Sequence, residues 1–548
     1  MTPRSEWWRS AVIYQIYPRS FADSSGDGIG DLQGILQKLN YVDSLGVDAV
    51  WISPFFKSPM KDFGYDISDY RAVDPIFGTL ADFQAILEAA HDRNLKVLID
   101  QVWNHTSDEH AWFQESRTSR DNAKADWYVW VDPKEDGGPP NNWLATFGGS
   151  AWTWEPQRQQ YYLHNFLESQ PDLNWYNPEV VDAILDTARF WLEMGVDGFR
   201  LDVVNFFTYD RSLRDNPVRP DNTPRPAGAS ADDPFFSYVN LYNFCQPKTL
   251  ELLKPIRDLM DQYNATTLAE ISSAEDALLI SSEYVKGRDR LHTAYNSSLM
   301  TDEPLTAQRV QKLIQRVEAL FDDGVICWTA GTHDFPRLKS RWHKYQPSDE
   351  FLLDAFDSMF AALIMALRGN CCIYQGDELG LTQANIPYEK MQDPFGIQGY
   401  PQVLGRDGSR TPMPWLKEAY QAGFTQAAEP WLPIPEEHLP YAVDVQEADP
   451  SSLLSKYRRL IHWRRLQPAL KQGDLHLLNL EAEQLVGFVR SCEEQRLLCI
   501  FNLSPETVYQ DMKRFPRCEP TAENIFSDRS FHETLELPPF GVYFGNLC

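Results

Sequence analysis

Three carboxylates stand at the ends of short apolar runs. Asp202 closes Gly198-Phe199-Arg200-Leu201-Asp202, Glu270 lies in Thr266-Thr267-Leu268-Ala269-Glu270-Ile271, and Asp334 follows Thr332-His333. Arg200 and Asp202 are two residues apart, hence on one face of a strand. A neighbouring guanidinium favours the ionised carboxylate that a nucleophile must be; the same pair also reads as a structural ion pair. Glu270 sits among apolar neighbours, where burial raises a carboxyl toward the range of a general acid; the alternative is a glutamate facing solvent. His333 puts an imidazole beside the third carboxylate, and another run ends in Asp100 with Asn104 and His105 close behind. Each short pattern is weak alone. Their order, each at the end of a different run, raises the odds that they form one functional set.

The elements that position them are legible as a repeat. Apolar runs at 12–17, 47–53, 96–101, 198–203, 267–271, 292–295, 326–329 and 372–374 alternate with amphipathic helical stretches, which predicts parallel strands with crossover helices. Eight such strands close a barrel whose C-terminal ends carry catalytic side chains. The helix before the fourth strand shows the pattern: Val181, Ile184, Leu185, Ala188, Phe190, Trp191 and Met194 form the stripe, and Gly195 is the stop. Residues 106–175, rich in aromatics and holding Pro139-Pro140 and Gly148-Gly149, are too many for a plain loop. Beyond 470, short alternating runs at 475–480, 485–489, 497–501 and 542–544 read as antiparallel strands. The expected fold is therefore α/β: a (β/α)8 TIM barrel over 1–105 and 176–470, a subdomain inserted after the third strand over 106–175, and a C-terminal antiparallel β-sandwich domain over 471–548.

Composition narrows the partner. With 78 Asp and Glu against 50 Lys and Arg, the net charge of -28 repels nucleic acid and anionic lipid. A neutral small molecule fits better. No stretch approaches the ~20 apolar residues of a membrane span, and the N-terminus lacks the apolar core of a signal peptide. The eight cysteines, Cys371 and Cys372 among them, show no metal-type or disulfide-dense spacing, so a reducing cytoplasm is expected. Between 23 and 31, Asp23, Ser25, Asp27 and Asp31 alternate around glycines, a spacing able to wrap a hard cation or to form a plain turn. Gly34 stands where a calcium loop of the EF-hand type has its bidentate glutamate.

Taken together, these residues resemble glycoside hydrolase family 13, the α-amylase family, in its α-glucosidase and oligo-1,6-glucosidase branch. Four regions match in order, at 100–105, 198–205, 268–271 and 332–334, with a branch marker at 170–174 and a similar opening at 7–21. The resemblance implies an exo-acting retaining α-glucosidase that releases α-glucose from the non-reducing end of a small oligosaccharide, with transglucosylation as a second outcome. It makes Asp202 the nucleophile, Glu270 the acid/base and Asp334 the stabiliser. Tyr65, His105, Arg200 and His333 would line the first sugar site, Asp62 and Arg406 would grip the terminal 4-hydroxyl, and Phe147, Phe166 and Phe206 would form walls. Glu378 would touch the second sugar. Val203, just after the nucleophile, accompanies α-1,6 cleavage in the branch. No cofactor is implied for catalysis, but a structural Ca²⁺ or Mg²⁺ is, on Asp23, Ser25, Asp27, the Ile29 carbonyl and Asp31, with Ser25 where relatives often have Asn. The alternatives within the family are an enzyme preferring α-1,4 bonds of maltose or sucrose, a sucrose or trehalose isomerase, and a phosphosugar hydrolase, which needs a Lys or Arg cluster. A non-catalytic barrel is disfavoured by the complete set of three carboxylates.

Overall fold

Eight parallel strands close on themselves: β1 (Val12–Ile16), β2 (Ala49–Ile52), β3 (Lys96–Gln101), β4 (Gly198–Leu201), β5 (Thr266–Ile271), β6 (Thr293–Asn296), β7 (Val325–Trp328) and β8 (Asn370–Tyr374). Each pairs with its neighbours in chain order, and β8 returns to β1 with Cys371 opposite Val12. Every run predicted as a barrel strand is one of these, with ends within two residues. The computed structural model describes residues 6–226, 229, 233–513, 515, 518–521 and 533–547. Residues 1–5 and Cys548 belong to stretches considered above and lie outside it.

Alternation sorts the strands' side chains into two cores. Ile13, Trp51, Leu98, Leu268, Tyr295, Cys327 and Cys372 fill the barrel's interior, while outward residues such as Val50, Val97, Phe199 and Ala269 join the larger core under the helices. At the foot of β4 only glycine fits, because a Cβ on Gly198 would lie 2.6 Å from the Thr266 carbonyl oxygen. The helix Pro178–Met194 starts on an Asn177 cap with Pro178 in its first turn and stops at Gly195, whose φ is 107°. Its Val181, Ile184, Ala188 and Trp191 are buried, and Leu185, Phe190 and Met194 pack at the stripe's margin.

The segment between β3 and β4 carries a three-stranded antiparallel sheet of Trp130–Val131, Gln160–Leu163 and Trp152–Glu155. After the barrel comes a five-stranded antiparallel sheet in the order Asp474–Leu477, Leu485–Ser491, Arg496–Asn502, Val542–Leu547, Cys518–Pro520, with a two-stranded sheet of Val508–Asp511 and Thr534–Leu537. Among the described residues no helix is long and apolar enough to cross a membrane. Cys327, Cys371, Cys372 and Cys499 are buried free thiols.

Candidate active site

The residue two steps beyond an inward apolar side chain also points inward. Leu98 is followed by Asp100, and Leu268 by Glu270. The register of β3 on β4 sets Asp100 opposite Arg200, and that of β5 on β6 sets Glu270 opposite Tyr295. All four therefore meet at the C-terminal mouth of the barrel. Asp202 lies just past β4, anchored by its backbone N–H to the Gln101 carbonyl at 3.0 Å. The chain then bends sharply: Val203 has φ 35° and ψ 49°, a left-handed conformation that strains a β-branched residue and is tolerated chiefly where function needs it. The bend ends β4 earlier than its apolar run suggests, and it directs the Val203 N–H at Glu270 Oε2, 3.4 Å away.

Arg200 is the hub. Fully buried, it donates from Nη1 to Asp100 Oδ1 at 2.8 Å and to Asp202 Oδ1 at 2.6 Å, and from Nη2 to Glu270 Oε2 and to the Tyr295 hydroxyl at 2.6 Å. Trp51 covers the guanidinium with its ring centroid at 4.9 Å. One positive charge thus serves three carboxylates. Burial pushes Asp202 up to about 7 and Glu270 up to about 8, with Arg200 pulling both down and Asp202 adding its repulsion to Glu270. Arg200 does favour the ionised Asp202 as expected, but desolvation and the sharing of that charge among three acids offset it. Both shifts are upward, and Glu270 carries the added repulsion of Asp202, the direction a proton donor needs. Asp202 and Glu270 are held on the two terminal nitrogens of a single guanidinium.

Asp334 faces this pair from β7's side. Burial would raise its pKa, yet the guanidinium charges of Arg410 and Arg406 hold it below the usual carboxylate range, with the neutral His333 ring beside it. Arg410 Nη2 donates to it at 2.8 Å, and His333 Nε2 lies 3.2 Å away. His333 is itself kept neutral by burial. Gln15 Nε2 meets its Nδ1 at 2.7 Å, and Tyr65 stacks on its ring at 5.3 Å while its hydroxyl donates to Asp100. His105, pushed down to about 3 by burial, donates to the Tyr65 carbonyl oxygen at 3.1 Å. Its neighbour Gln170 donates to Asp62 Oδ2 at 3.0 Å.

Asp62 and Arg406, 344 residues apart in sequence, meet at 2.8 Å between Oδ1 and Nη2. Both are largely buried. Arg406 lies over the Phe147 ring at 4.9 Å; Phe147 contacts Phe166, and Phe166 contacts Phe206. Val203, Phe206 and Phe166 pack with Phe235, Phe236 and Phe244. The structure therefore brings together Asp62, Tyr65, His105, Phe147, Phe166, Arg200, Asp202, Val203, Phe206, Glu270, His333, Asp334 and Arg406.

Glu378 does not join them. It is wholly buried, and its carboxylate accepts from the Tyr14 and Tyr41 hydroxyls at 2.7 and 2.6 Å and from the Gly376 N–H at 2.8 Å. The turn after β8 folds it back against the helix Leu32–Leu45, which carries Tyr41. It is a tie between β1, that helix and the turn, and contact with a second sugar is ruled out by this burial. Sequence reasoning also passed over Arg410, Tyr295 and Asp393. Arg410 stands four residues beyond Arg406, and Asp393 lies in a loop with no periodicity to read.

The acidic loop at 23–31 is closed by its own hydrogen bonds. Asp23 accepts from Ser25 Oγ and from the Gly26 and Gly28 N–H groups, Asp31 from Ser24, Ser25 and Gly34, and Asp27 from the Ile29 N–H. The oxygen donors suit a hard cation in kind. Among the described residues, however, no three His, Cys, Asp or Glu side chains converge as a cation cage. A cation would have to displace some of those donors.

A parallel eight-stranded barrel with two buried carboxylates sharing one guanidinium at its mouth, and a third acid held ionised, is the kind of site that glycoside hydrolysis by paired carboxylates requires. The sequence matches the family described as alpha amylase, catalytic domain, over residues 15–473, and the chain belongs to that family. It is 48% identical to a probable alpha-glucosidase of Rhizobium meliloti strain 1021, over 100% of this chain and 98% of that one. It is 36% identical to an oligo-1,6-glucosidase of Heyndrickxia coagulans, over 92% and 94%. Among solved structures, an alpha-glucosyl transfer enzyme superposes with TM-score 0.94 at 49% identity, covering 99% of both chains. A trehalulose synthase superposes with TM-score 0.88 at 32% identity, covering 99% of this chain and 100% of that one.

Proposed function

We propose that the protein is an exo-acting, retaining α-glucosidase. Asp202 attacks the anomeric carbon of the non-reducing glucose while Glu270 gives its proton to the departing glycosidic oxygen, so the C–O bond breaks as the ester to Asp202 forms. Glu270, now a carboxylate, takes a proton from water or from a sugar hydroxyl, which attacks the same carbon and frees Asp202. Two inversions retain the α configuration. Asp334, ionised beside Arg410, stabilises the positive charge that develops on the ring between these states.

The observation that carries the exo reading is the Asp62 to Arg406 pair, which sits over the aromatic wall of Phe147 and Phe166. Such a pair would close the pocket beyond one terminal sugar and offer charged partners to its outer hydroxyls. Every pocket arginine is already paired with an acid: Arg200 with Asp202, Arg406 with Asp62, Arg410 with Asp334. This favours a neutral sugar over a phosphosugar. The α-1,6 preference rests on Val203, and transfer to a sugar acceptor on the likeness to the glucosyl transfer enzyme.

Side-by-side assays on isomaltose, maltose, sucrose and trehalose test the reading. Fastest release of glucose, first seen as the α anomer, is expected from isomaltose. Release of the β anomer would overturn the retaining mechanism. Faster cleavage of maltose or sucrose would move the preference to α-1,4 or sucrose substrates and leave the mechanism standing.

On its sequence pattern, the loop bearing Asp23, Ser25, Asp27, Ile29 and Asp31 is proposed to take Ca²⁺ or Mg²⁺ as a structural ion. Adding either after chelation is expected to raise the Tm by several degrees at unchanged kcat below the transition, in line with stabilisation by preferential binding to the folded state. An unmoved Tm at millimolar cation would refute it. The free, buried thiols support a reducing, cytoplasmic location.

A further inference from the structure

Arg406 is pulled in three directions, toward Asp62, Asp334 and Asp393, and the third partner holds it most firmly. Asp393 Oδ1 accepts from Nη2 at 2.7 Å, and Oδ2 accepts from Nε at 3.1 Å and from the Arg406 backbone N–H at 2.6 Å. The grip is therefore on both the guanidinium and the main chain of one residue. By contrast Asp62 makes a single contact, from the same Nη2, and Asp334 a longer one of 3.3 Å from Nη1. Asp393 is fully buried, and Arg406 and Arg410 hold its carboxyl ionised against the effect of burial.

The support is reciprocal. Asp407, next to Arg406, accepts the backbone N–H groups of Gln392 and Asp393 at 2.6 and 2.9 Å. Two loop segments 14 residues apart thus cap each other. An arginine on a loop has four rotatable side-chain bonds, and a bidentate acid behind it removes that freedom before substrate arrives.

We infer that Asp393 is a positioning residue: it fixes the Arg406 guanidinium so that its Nη1 side, which makes only the 3.3 Å contact to Asp334, and Asp62 meet the outermost hydroxyl of the terminal glucose. This rests on the pocket reading above. Asp393 lies behind Arg406, so it acts on the sugar only through that guanidinium.

The test compares kcat/KM for 4-nitrophenyl α-glucoside and for its 4-deoxy analogue, in wild type and in Asp393→Asn. Wild type is expected to favour the complete sugar strongly. In the variant, kcat/KM for the complete sugar should drop about 10²-fold, the scale of a clamp displaced by about an ångström, while the value for the analogue barely moves and the preference collapses. An equal drop on both substrates, with the preference intact, would mean a merely structural role and overturn the inference. A wild type that treats the two sugars alike would instead overturn the clamp reading itself. Where Asp393→Asn does not fold, Asp393→Glu, which keeps the charge but shifts it by one methylene, is read by the same ratio.

Discussion

Replacing Asp202 with Asn is expected to lower kcat on the order of 10⁴-fold, because the covalent step is lost and water must attack directly. The fold should not suffer. Arg200 keeps Asp100 and Glu270 as partners at 2.8 Å and closer, and one of three acids crowded on a single guanidinium is removed. The Tm of the variant should therefore equal or exceed that of wild type, as when a site strained for function is relaxed. Activity measured with a 4-nitrophenyl glucoside and melting followed by circular dichroism check both halves. A variant with near-normal turnover sinks the nucleophile assignment; one that is inactive because it is unfolded says that Asp202 holds the barrel mouth together.

Glu270→Gln should cost about 10²–10⁴-fold on isomaltose, the usual worth of a placed proton donor. The first step should be nearly spared on a 4-nitrophenyl glucoside, whose leaving group needs no proton. The pH profile separates this from simple damage. In wild type, kcat/KM should rise as pH increases through the range near 7 where Asp202 ionises, and fall as pH increases further through the range near 8 where Glu270 loses its proton. The limits belong to the coupled pair rather than to either group alone. In Glu270→Gln the alkaline fall should vanish, because glutamine has no proton to lose there. A profile that keeps the fall would place the acid elsewhere.

The two expectations meet at Arg200. Arg200 lowers both carboxyls, but Glu270 also feels the repulsion of Asp202, and burial keeps it on the protonated side. That repulsion, on top of a single arginine shared among Asp100, Asp202 and Glu270, separates the roles of two acids that look alike in isolation.

Much of this was legible in the chain. Eight apolar runs of strand length, separated by helices such as Pro178–Met194 with its Asn177 cap and Gly195 stop, announce the barrel because hydrophobic period and capping are local properties. Period two along β3, β4 and β5 places Asp100, Arg200 and Glu270 on inward faces for the same reason, so the chemistry at the barrel mouth could be located before any tertiary contact was known. What lay beyond reach depends on segments far apart in sequence. Asp62 and Arg406 are paired by the sequence only through the family resemblance; Asp393 and Arg410 come from aperiodic loops, and only the packed molecule shows that they join that pair. Glu378 follows an apolar strand just as Asp202 does, yet its turn folds back and buries it against Tyr14 and Tyr41. The balance of charge on Asp202 and Glu270 is likewise tertiary. Desolvation and the sharing of one guanidinium depend on how completely the helices and loops exclude water, which the order of residues along the chain does not carry.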